Sequence, residues 1–343
     1  MKLFIIGAGG FIGSNLIEHL IEEGVHDVVG VDITEAKLEG ISGDNFRFIE
    51  ADVTHQQDLI EKLVAETDVV VDLVAYANPS LYVSNPIDVI RLNFFENVKI
   101  TEMCMRHGKR LFQYSTSEIY GKRAQNGTYL EDSSDLVMGP TTKQRWVYAS
   151  GKQFLERIIH AHGLAGEIEY TIVRPFNFVG PRFDYLVEAG AKGGPRVFAH
   201  FMSALLTGGP MYLVDGGEQR RSFTHIEDAN AAFSTLIDNP AAVNEIFNIG
   251  NPSTDISIKE LAALMTDIYG DLTGDTYTGD VIEISGEEFY GEGYEDMDRV
   301  PPSIAKIQAL GWNPMYDLNT IFRDTIQYNL DQFEQGLVKL APA

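Results

Sequence analysis

The sequence is poor in cysteine, in basic residues and in long apolar runs. Cys104 is the only cysteine among 343 residues, which excludes an internal disulfide and a thiolate metal cluster. The 26 basic and 50 acidic residues give a net charge of −24, which would repel a phosphate backbone. No stretch approaches the roughly 20 consecutive apolar residues that a membrane helix needs. The composition predicts a cytoplasmic protein that binds neither nucleic acid nor a membrane.

Metal binding is not expected either, because the histidines are dispersed and the nearest pair, His160 and His162, diverges on a helix. The apolar start at 2–6 runs at once into glycines and no small-residue cleavage site follows. We therefore interpret the N-terminus as mature structure. With 44% hydrophobic residues the chain can bury a large core, and its length suits two joined lobes of roughly 100–200 residues each.

Short apolar, β-branched runs alternate with segments of helical periodicity. The runs lie at 2–6, 28–31, 46–49, 68–74, 110–115 and 169–173, and the helical segments at 13–23, 86–107 and 144–162. This alternation predicts an α/β fold with a Rossmann-type doubly wound parallel sheet. Loop-rich stretches at 180–222 and 270–300 predict a smaller C-terminal lobe that binds substrate. A capping box at Ser257 and Glu260 and an amphipathic segment at 318–333 predict two further helices.

The first apolar run leads directly into the glycine motif Gly7-Ala-Gly-Gly10-Phe-Ile-Gly13 and then into a helix. Backbone N–H groups at that helix N-terminus can meet a pyrophosphate. The predicted cofactor contacts in this loop are Gly7, Gly10, Phe11, Ile12 and Gly13. The alternative interpretation is a tight glycine turn without a ligand.

Acidic residues follow the second and third runs. Asp32 can accept hydrogen bonds from an adenosine ribose and would repel a 2′-phosphate, which favours NAD over NADP. An N-capping aspartate is the alternative. Asp52 and Val53 are predicted beside the adenine, although an acidic turn residue fits the position of Asp52 nearly as well.

Tyr148 and Lys152 lie four residues apart in a helical segment, which puts phenol and ammonium on one face. A nearby ammonium stabilises phenolate, so we predict that it lowers the pKa of Tyr148 and makes the phenol a general base for an alcohol. Ser115-Thr-Ser-Glu118 ends the preceding strand. A tyrosine and a lysine at this spacing are common, and they indicate a catalytic pair only in combination with that segment and the glycine motif.

These three elements together resemble the extended short-chain dehydrogenase/reductase family, whose members act on nucleotide sugars. Matching segments at 174–177, 247–250 and 311–314 extend the resemblance over nearly the whole chain. The resemblance implies an NAD-binding domain over 1–175, to which 222–250 returns, and a mainly nucleotide-sugar-binding lobe over 176–343. It also implies a homodimer that pairs the helices at 86–107 and 144–162.

The resemblance assigns further residues to the two ligands. The implied cofactor contacts are Leu73, Ala75, Asn93, Ser115, Tyr148, Lys152 and Pro175. The implied contacts to the UDP-sugar are Thr116, Arg145, Asn177, Arg182, Arg196, Arg221 and Tyr294.

The residues beside Ser115 distinguish reactions within the family. Sugar 4,6-dehydratases resemble this chain but carry Asp-Glu where Ser117 and Glu118 stand, and simple 4-epimerases carry small apolar residues there. Ser117 is a poor acid for expelling hydroxide, whereas Glu118 can transfer a proton at C5. The alternative interpretation of Glu118 is a structural ion pair with an arginine.

Two arginines favour a substrate that carries a carboxylate. Arg145 lies three residues before Tyr148 on about the same helical side, and Arg221 lies on a loop that covers the sugar in the family. Guanidinium groups bind carboxylates and phosphates with a bidentate fork, so either arginine is a candidate ligand of a C5 carboxylate. Surface salt bridges are the alternative for each.

Segments at 143–148, 214–217 and 289–294 resemble two branches of the family: UDP-glucuronate decarboxylase domains of bacterial polymyxin-resistance enzymes, and plant UDP-apiose/UDP-xylose synthases. By this resemblance, Tyr148 and Lys152 would be the oxidation pair, Ser117 and Glu118 the proton-transfer groups, and Arg221 the residue that supports carboxylate binding and decarboxylation. The ring-contracting apiose enzymes carry cysteines where Ser117 and Ala77 stand. We therefore expect NAD-dependent decarboxylation of UDP-glucuronate to a UDP-4-keto-pentose or UDP-xylose. A UDP-glucuronate 4-epimerase, an apiose synthase or another nucleotide-sugar epimerase or dehydratase are the alternatives.

Overall fold

A computed structural model describes residues 1–122, 127–295, 300–338 and 340–341 of the chain. The strands, in chain order, are β1 (Lys2–Ile6), β2 (Asp27–Asp32), β3 (Phe46–Glu50), β4 (Val69–Asp72), β5 (Arg110–Tyr114), β6 (Tyr170–Pro175), β7 (Phe178–Val179), β8 (Met211–Val214), β9 (Arg220–Ser222), β10 (Thr224–His225), β11 (Glu245–Ile249), β12 (Asp255–Ser257) and β13 (Val281–Ile284).

The helices, in chain order, are α1 (Phe11–Glu23), α2 (Gln57–Ala65), α3 (Pro79–Ser84), α4 (Pro86–Ile90), α5 (Asn97–His107), α6 (Val147–Leu164), α7 (Val197–Thr207), α8 (Ile226–Ile237), α9 (Ile258–Thr273), α10 (Gly286–Tyr290), α11 (Ala305–Gln308) and α12 (Leu318–Glu334). Within the described ranges, no helix combines the length and the apolar character that crossing a bilayer requires.

Seven strands of the described chain form one sheet in the order β11-β6-β5-β4-β1-β2-β3. All neighbouring pairs are parallel. The order reverses beside β1, where chain connections switch from one side of the sheet to the other. Ligands of open parallel sheets bind outside the carboxyl ends of the strands at such a point. The predicted doubly wound Rossmann-type sheet is confirmed.

Burial on both faces explains why β1 is apolar along most of its length. In β1, Leu3 and Ile5 pack into one hydrophobic cluster, whereas Phe4 and Ile6 pack into another on the opposite face. Successive side chains of a strand point to opposite faces, so helices must cover both. One cluster includes α1, α8 and α12, and the other includes α2, α5 and α6.

The predicted strands and helices agree closely with the structure, with one exception. The helix predicted over 86–107 is divided, because a π-helical turn at Arg91–Glu96 separates α4 from α5. The capping box forms as expected: Ser257 accepts the N–H of Glu260, and the Glu260 carboxylate accepts the N–H of Ser257.

The smaller lobe is built from short strand pairs and helices after β6. β8 pairs with β13, β9 pairs antiparallel with β12, and α9 packs against α7 and α12. The chain returns to the main sheet at β11, which pairs with β6 along its edge. A division of function at residue 175 stays a prediction.

Candidate active site

The glycine loop between β1 and α1 makes a tight turn that only glycine fits. Gly7 has a φ of 90°, and the N–H groups of Gly7 and Ala8 both donate to the Val31 carbonyl, at 2.9 and 3.1 Å. A Cβ added to Gly13 would lie 2.2 Å from the Gly7 carbonyl oxygen. The backbone can therefore approach a ligand closely at the N-terminus of α1. The residues present fit a dinucleotide pyrophosphate.

Asp32 holds this loop against the end of β2. Its Oδ2 accepts the N–H of Gly9 at 3.0 Å, and its Oδ1 accepts the N–H of Thr34 at 3.3 Å. Burial raises the pKa of Asp32, although these backbone N–H groups oppose the shift. The carboxylate binds the backbone of the loop, and Asp32 is not among the residues that line the cavity into which the loop opens.

That cavity, called here the glycine-loop cavity, gathers most of the predicted cofactor residues. Its predicted lining residues are Gly7, Gly10, Phe11, Ile12, Gly13, Leu73, Ala75, Ser115, Tyr148, Lys152 and Pro175. Asp52 and Val53 are not among the lining residues; Asp52 instead accepts the N–H and hydroxyl of Thr54, at 2.8 and 2.6 Å. Asn93 binds the backbone of Tyr76 and so shapes the cavity wall from behind.

Lys37 lines the glycine-loop cavity and was not predicted from the sequence. Its Nζ donates to the carbonyl of Arg182 at 2.5 Å and to that of Asp184 at 3.4 Å. Burial lowers the pKa of Lys37 to about 8, and the nearby Asp184 opposes that shift. These bonds join a turn after β2 to a loop in the second half of the chain, so no local sequence signal marks them.

Tyr148 lies on the wall of the glycine-loop cavity with its ring flat against Tyr82. The ring centroids are 4.8 Å apart and the ring planes differ by 5°. Burial raises the pKa of Tyr148, the charge of Glu118 adds to the rise, and a hydrogen bond with Thr116 opposes it. The prediction of a lowered pKa is therefore wrong for this state of the molecule. Desolvation of the stacked phenol outweighs the nearby positive charges.

Lys152 is 1% exposed and lies one turn along α6 from Tyr148. Its Nζ donates to Asn97 Oδ1 at 2.9 Å and to the Tyr114 carbonyl at 3.2 Å. Burial lowers the pKa of Lys152 to about 8. Asn97, on α5, was missed from the sequence because it acts across two helices.

Glu118 is held in an ion pair with Arg145. Glu118 follows Thr116, whose hydroxyl accepts the Glu118 N–H at 3.1 Å and starts the turn at Ser117–Tyr120. Arg145 Nη1 donates to Glu118 Oε2 at 2.7 Å, and the side chains are 4% and 16% exposed. Burial alone would lower the pKa of Arg145, but the carboxylate raises it. The ion pair with an arginine, which was the alternative interpretation of Glu118, is therefore present in the structure.

A second cavity, called here the arginine cavity, adjoins the first. Arg145, Arg196 and Arg221 line it, together with Asn177 and Tyr294. The two cavities share the residues Ala77, Glu118, Asn177, Phe178 and Arg196. Three guanidinium groups beside an enclosed apolar wall can bind an anionic ligand.

Different contacts hold the guanidinium groups that line the arginine cavity. Arg221 lies on β9, where its Nη1 donates to the Arg220 carbonyl at 2.8 Å. Arg196 precedes α7; its Nε donates to Asp184 at 3.1 Å and its guanidinium lies 4.0 Å from the Phe183 ring centroid. Arg182 lines neither cavity in the described structure: it binds Asn15 and Glu18 on α1 instead. The prediction that Arg182 contacts the sugar nucleotide has no support from this geometry.

Other residues of both walls were not predicted. Among them, Tyr82 stacks on Tyr148, His200 Nε2 donates to the Gly193 carbonyl at 2.6 Å, and Phe289 packs edge-on against His200. Aromatic and histidine residues scattered over distant segments give no motif, so sequence spacing could not identify them.

Comparison with known proteins agrees with this geometry. A model of the NAD dependent epimerase/dehydratase family matches residues 3–250. UDP-D-apiose/UDP-D-xylose synthase 2 of Arabidopsis thaliana is 36% identical, over 99% of this chain and 94% of its own length. The UDP-D-apiose/UDP-D-xylose synthase of Oryza sativa subsp. japonica is 36% identical, over 98% and 91%.

A solved structure is similar over its full length. The PbgP3 protein from Burkholderia pseudomallei superposes with a TM-score of 0.86 at 31% identity, covering 98% of this chain and 99% of that one. The resemblance to the extended short-chain dehydrogenase/reductase family is thereby confirmed, as is the prediction of an enzyme. The chain belongs to the NAD-dependent epimerase/dehydratase family, and its cofactor is NAD.

Proposed function

We propose that this enzyme oxidises UDP-glucuronate at C4 and decarboxylates it, giving a UDP-4-keto-pentose or UDP-xylose. The observation that carries the proposal is the junction of the two cavities, where Glu118 lies between Tyr148 and the guanidinium-lined wall. A sugar acid that spans this junction would present its 4-hydroxyl to the phenol and its carboxylate to Arg196 or Arg221. The relatives named above as UDP-D-apiose/UDP-D-xylose synthases support a UDP-sugar substrate.

The oxidation step assigns the phenol of Tyr148 as the base for the sugar 4-hydroxyl. NAD, when bound, supplies the hydride acceptor. Burial raises the pKa of Tyr148, and the guanidinium charges of Arg196 and Arg145 oppose that rise. Positive charge near the phenol therefore favours the phenolate, which is the form that accepts the proton of the 4-hydroxyl. The flat packing of Tyr82 fixes the orientation of the phenol ring.

The decarboxylation step follows from the chemistry of the ketone. With a carbonyl at C4, the C5 carboxylate belongs to a β-keto acid, and breaking the C5–CO2 bond moves two electrons toward the C4 oxygen. Donors at that oxygen stabilise the enolate, and the hydroxyls of Tyr148 and Thr116, which are hydrogen-bonded to each other, would serve as such donors. Ser117, Glu118 or a water molecule that they hold would then protonate C5.

Apiose formation is not favoured by the residues at the junction. The plant-like apiose enzymes, by resemblance, use two cysteines where Ser117 and Ala77 line the glycine-loop cavity here. Cys104 cannot substitute, because it is buried in the core at 0% exposure and burial raises its pKa. The residues of this pocket therefore favour oxidative decarboxylation over apiose formation.

We also propose a cytoplasmic homodimer. On the π-helical turn at Arg91–Glu96 and on α6, Phe95 and Phe154 are 53% and 57% exposed, and Phe94 stacks on Phe154 with ring centroids 5.5 Å apart. A contiguous aromatic patch of this kind suits a two-fold contact between copies. Sedimentation equilibrium of the wild type and of Phe154→Glu tests it; a monomeric wild type would exclude it.

Incubation with NAD and UDP-glucuronate tests the proposed reaction directly. We expect release of CO2 and a UDP-pentose by mass spectrometry, and none with UDP-glucose as the matched substrate that lacks the carboxylate. A UDP-hexuronate of unchanged mass and altered stereochemistry, without CO2, would instead identify a 4-epimerase. Cofactor absorbance in the same reaction shows whether NADH accumulates or is reoxidised.

A further inference from the structure

A closed ring of buried hydrogen bonds surrounds the ammonium of Lys152. Lys152 Nζ donates to Asn97 Oδ1, and Asn97 Nδ2 donates to the Val74 carbonyl at 3.2 Å. The Val74 N–H donates to Asp72 Oδ1 at 3.0 Å. The chain of contacts therefore leads from the lysine, through α5, to a carboxylate at the end of β4.

The ring closes on the other side through β5. Gln113 Nε2 donates to the Asp72 carbonyl at 3.3 Å and to the Tyr114 carbonyl at 3.1 Å. The Tyr114 carbonyl also accepts Lys152 Nζ. Asp72 and Gln113 are 0% exposed and Lys152 is 1% exposed, so water does not screen the two charged groups. Asp72 was not part of the site expected from the sequence.

Two oxygens of this ring lack a hydrogen-bond partner within the described structure: Asp72 Oδ2 and Gln113 Oε1. An unsatisfied buried carboxylate oxygen is costly unless a cation compensates it. Burial raises the pKa of Asp72 to about 6, and the charge of Lys152 opposes that shift. The charge of Lys152 therefore favours the ionised form of the Asp72 carboxyl.

The other ionisable groups around Lys152 are either compensated or neutral. Glu156, one turn further along α6, forms a 2.7 Å ion pair with Arg174 and accepts the Ser115 hydroxyl. Burial raises the pKa of Cys104 on α5 and of Tyr114 on β5, so both stay uncharged. β1, the neighbour of β4, places the apolar Ile6 beside Asp72.

We propose that Asp72 is the buried counter-ion of Lys152 and acts as a positioning residue that keeps this lysine protonated in the glycine-loop cavity. The inference rests on the proposed role of Lys152 toward the cofactor and the phenol. Without Asp72, the ammonium would lie in a low-dielectric site with no free carboxylate opposite it, and it would lose its proton at lower pH.

The test measures NADH binding by cofactor fluorescence from pH 5.5 to 9.5, with Asp72→Asn as the variant. Both proteins carry Lys37→Met, because Lys37 lines the same cavity and titrates in the same range. We expect the alkaline midpoint of NADH affinity to fall by about one pH unit or more in Asp72→Asn. Asp68→Asn is the matched control, since Asp68 lies exposed beside the other end of β4 and binds the Lys2 N–H.

Two further variants keep the proposal falsifiable. Asp72→Ser also removes the charge and keeps an acceptor for the Val74 N–H, so it should give the same shift if the asparagine variant does not fold. In a Lys152→Met background, Asp72→Asn should leave the NADH titration unchanged. A purely structural role would lower the melting temperature and leave the midpoint in place, which would overturn the proposal. Because no sugar is present, failure of the proposed decarboxylation would not affect this result.

Discussion

The two cavities of the enzyme are built in different ways. The glycine-loop cavity lies at the carboxyl ends of β1, β4, β5 and β6, and its polar groups are held by backbone atoms of the sheet. The arginine cavity is assembled from segments near residues 77, 145, 196, 221 and 290, most of them loops or short elements. The shape of the glycine-loop cavity therefore depends on the sheet, whereas the shape of the arginine cavity depends on the packing of loops that are distant in sequence.

This difference indicates how the enzyme separates general from specific tasks. Cofactor geometry is fixed by elements that the whole fold depends on, whereas the substrate wall can change without disturbing the sheet. Variants of the glycine-loop cavity should thus affect cofactor binding or hydride chemistry with any substrate. Variants of the arginine cavity should affect one substrate and leave NAD binding intact.

The largest expected effect comes from removing the base. Tyr148→Phe keeps the stack on Tyr82 but deletes the hydroxyl, so NADH formation should fall by about 1,000-fold. Absorbance at the NADH band measures it, and NAD affinity should stay within a factor of about three. Tyr76→Phe, on a partly exposed tyrosine of the same cavity, is the control. Near-normal turnover of Tyr148→Phe would remove this residue from its role.

Breaking the buried ion pair should mainly cost stability. Arg145→Met leaves the Glu118 carboxylate without its 2.7 Å partner, and we expect a loss of about 3 kcal/mol in the free energy of unfolding. Urea denaturation measures it. The exposed pair of Arg91 and Asp88 provides the control, since Arg91→Met should cost less than about 1 kcal/mol. Equal losses in the two variants would show that Glu118 is not dependent on Arg145.

A change on β9 tests the specificity of the arginine cavity. Arg221→Met should lower kcat/KM for CO2 release from UDP-glucuronate by about 30-fold, because a charge-assisted contact to the carboxylate is lost. NAD affinity should not change. Arg220→Met is a close control, since Arg220 points to the other side of the strand and pairs with Asp255 at 2.5 Å. The comparison between the cavities fails if Arg221→Met weakens NAD binding instead.

The smallest expected effect concerns the choice of cofactor. Asp32→Asn removes a negative charge behind the glycine loop, so the preference for NAD over NADP should narrow by about 10-fold. The ratio of the two dissociation constants measures it, with Asp27→Asn at the exposed start of β2 as the control. An unchanged ratio would mean that Asp32 serves only the backbone N–H groups of Gly9 and Thr34.

The same contrast explains which parts could be predicted from sequence. The glycine loop, the strands and the Tyr148–Lys152 pair are local patterns, and the structure places them together as expected. The prediction of a lowered pKa for Tyr148 was wrong, because its phenol is buried against Tyr82, a residue of a short helix after β4. That Arg182 contacts the sugar nucleotide stays a prediction. Its guanidinium meets α1, more than 160 residues away in sequence.

Lys37, Asn97 and Asp72 could not be predicted at all. Lys37 and Asn97 act through bonds to segments remote in sequence, such as the contact from Lys37 to the Arg182 carbonyl. The charge of Asp72 acts on Lys152, which also lies in a distant segment. Single ionisable residues are common at the ends of strands, and only the folded arrangement shows which of them face one another without water.

Glu118 belongs to the walls of both cavities. We therefore expect the binding free energies of cofactor and sugar nucleotide to depend on each other. A ligand in one cavity that changes the electrostatic field or the hydration of the Glu118 carboxylate should change the binding free energy of the ligand in the other cavity. Linkage requires the effect to be reciprocal: the factor by which sugar tightens the cofactor equals the factor by which cofactor tightens the sugar.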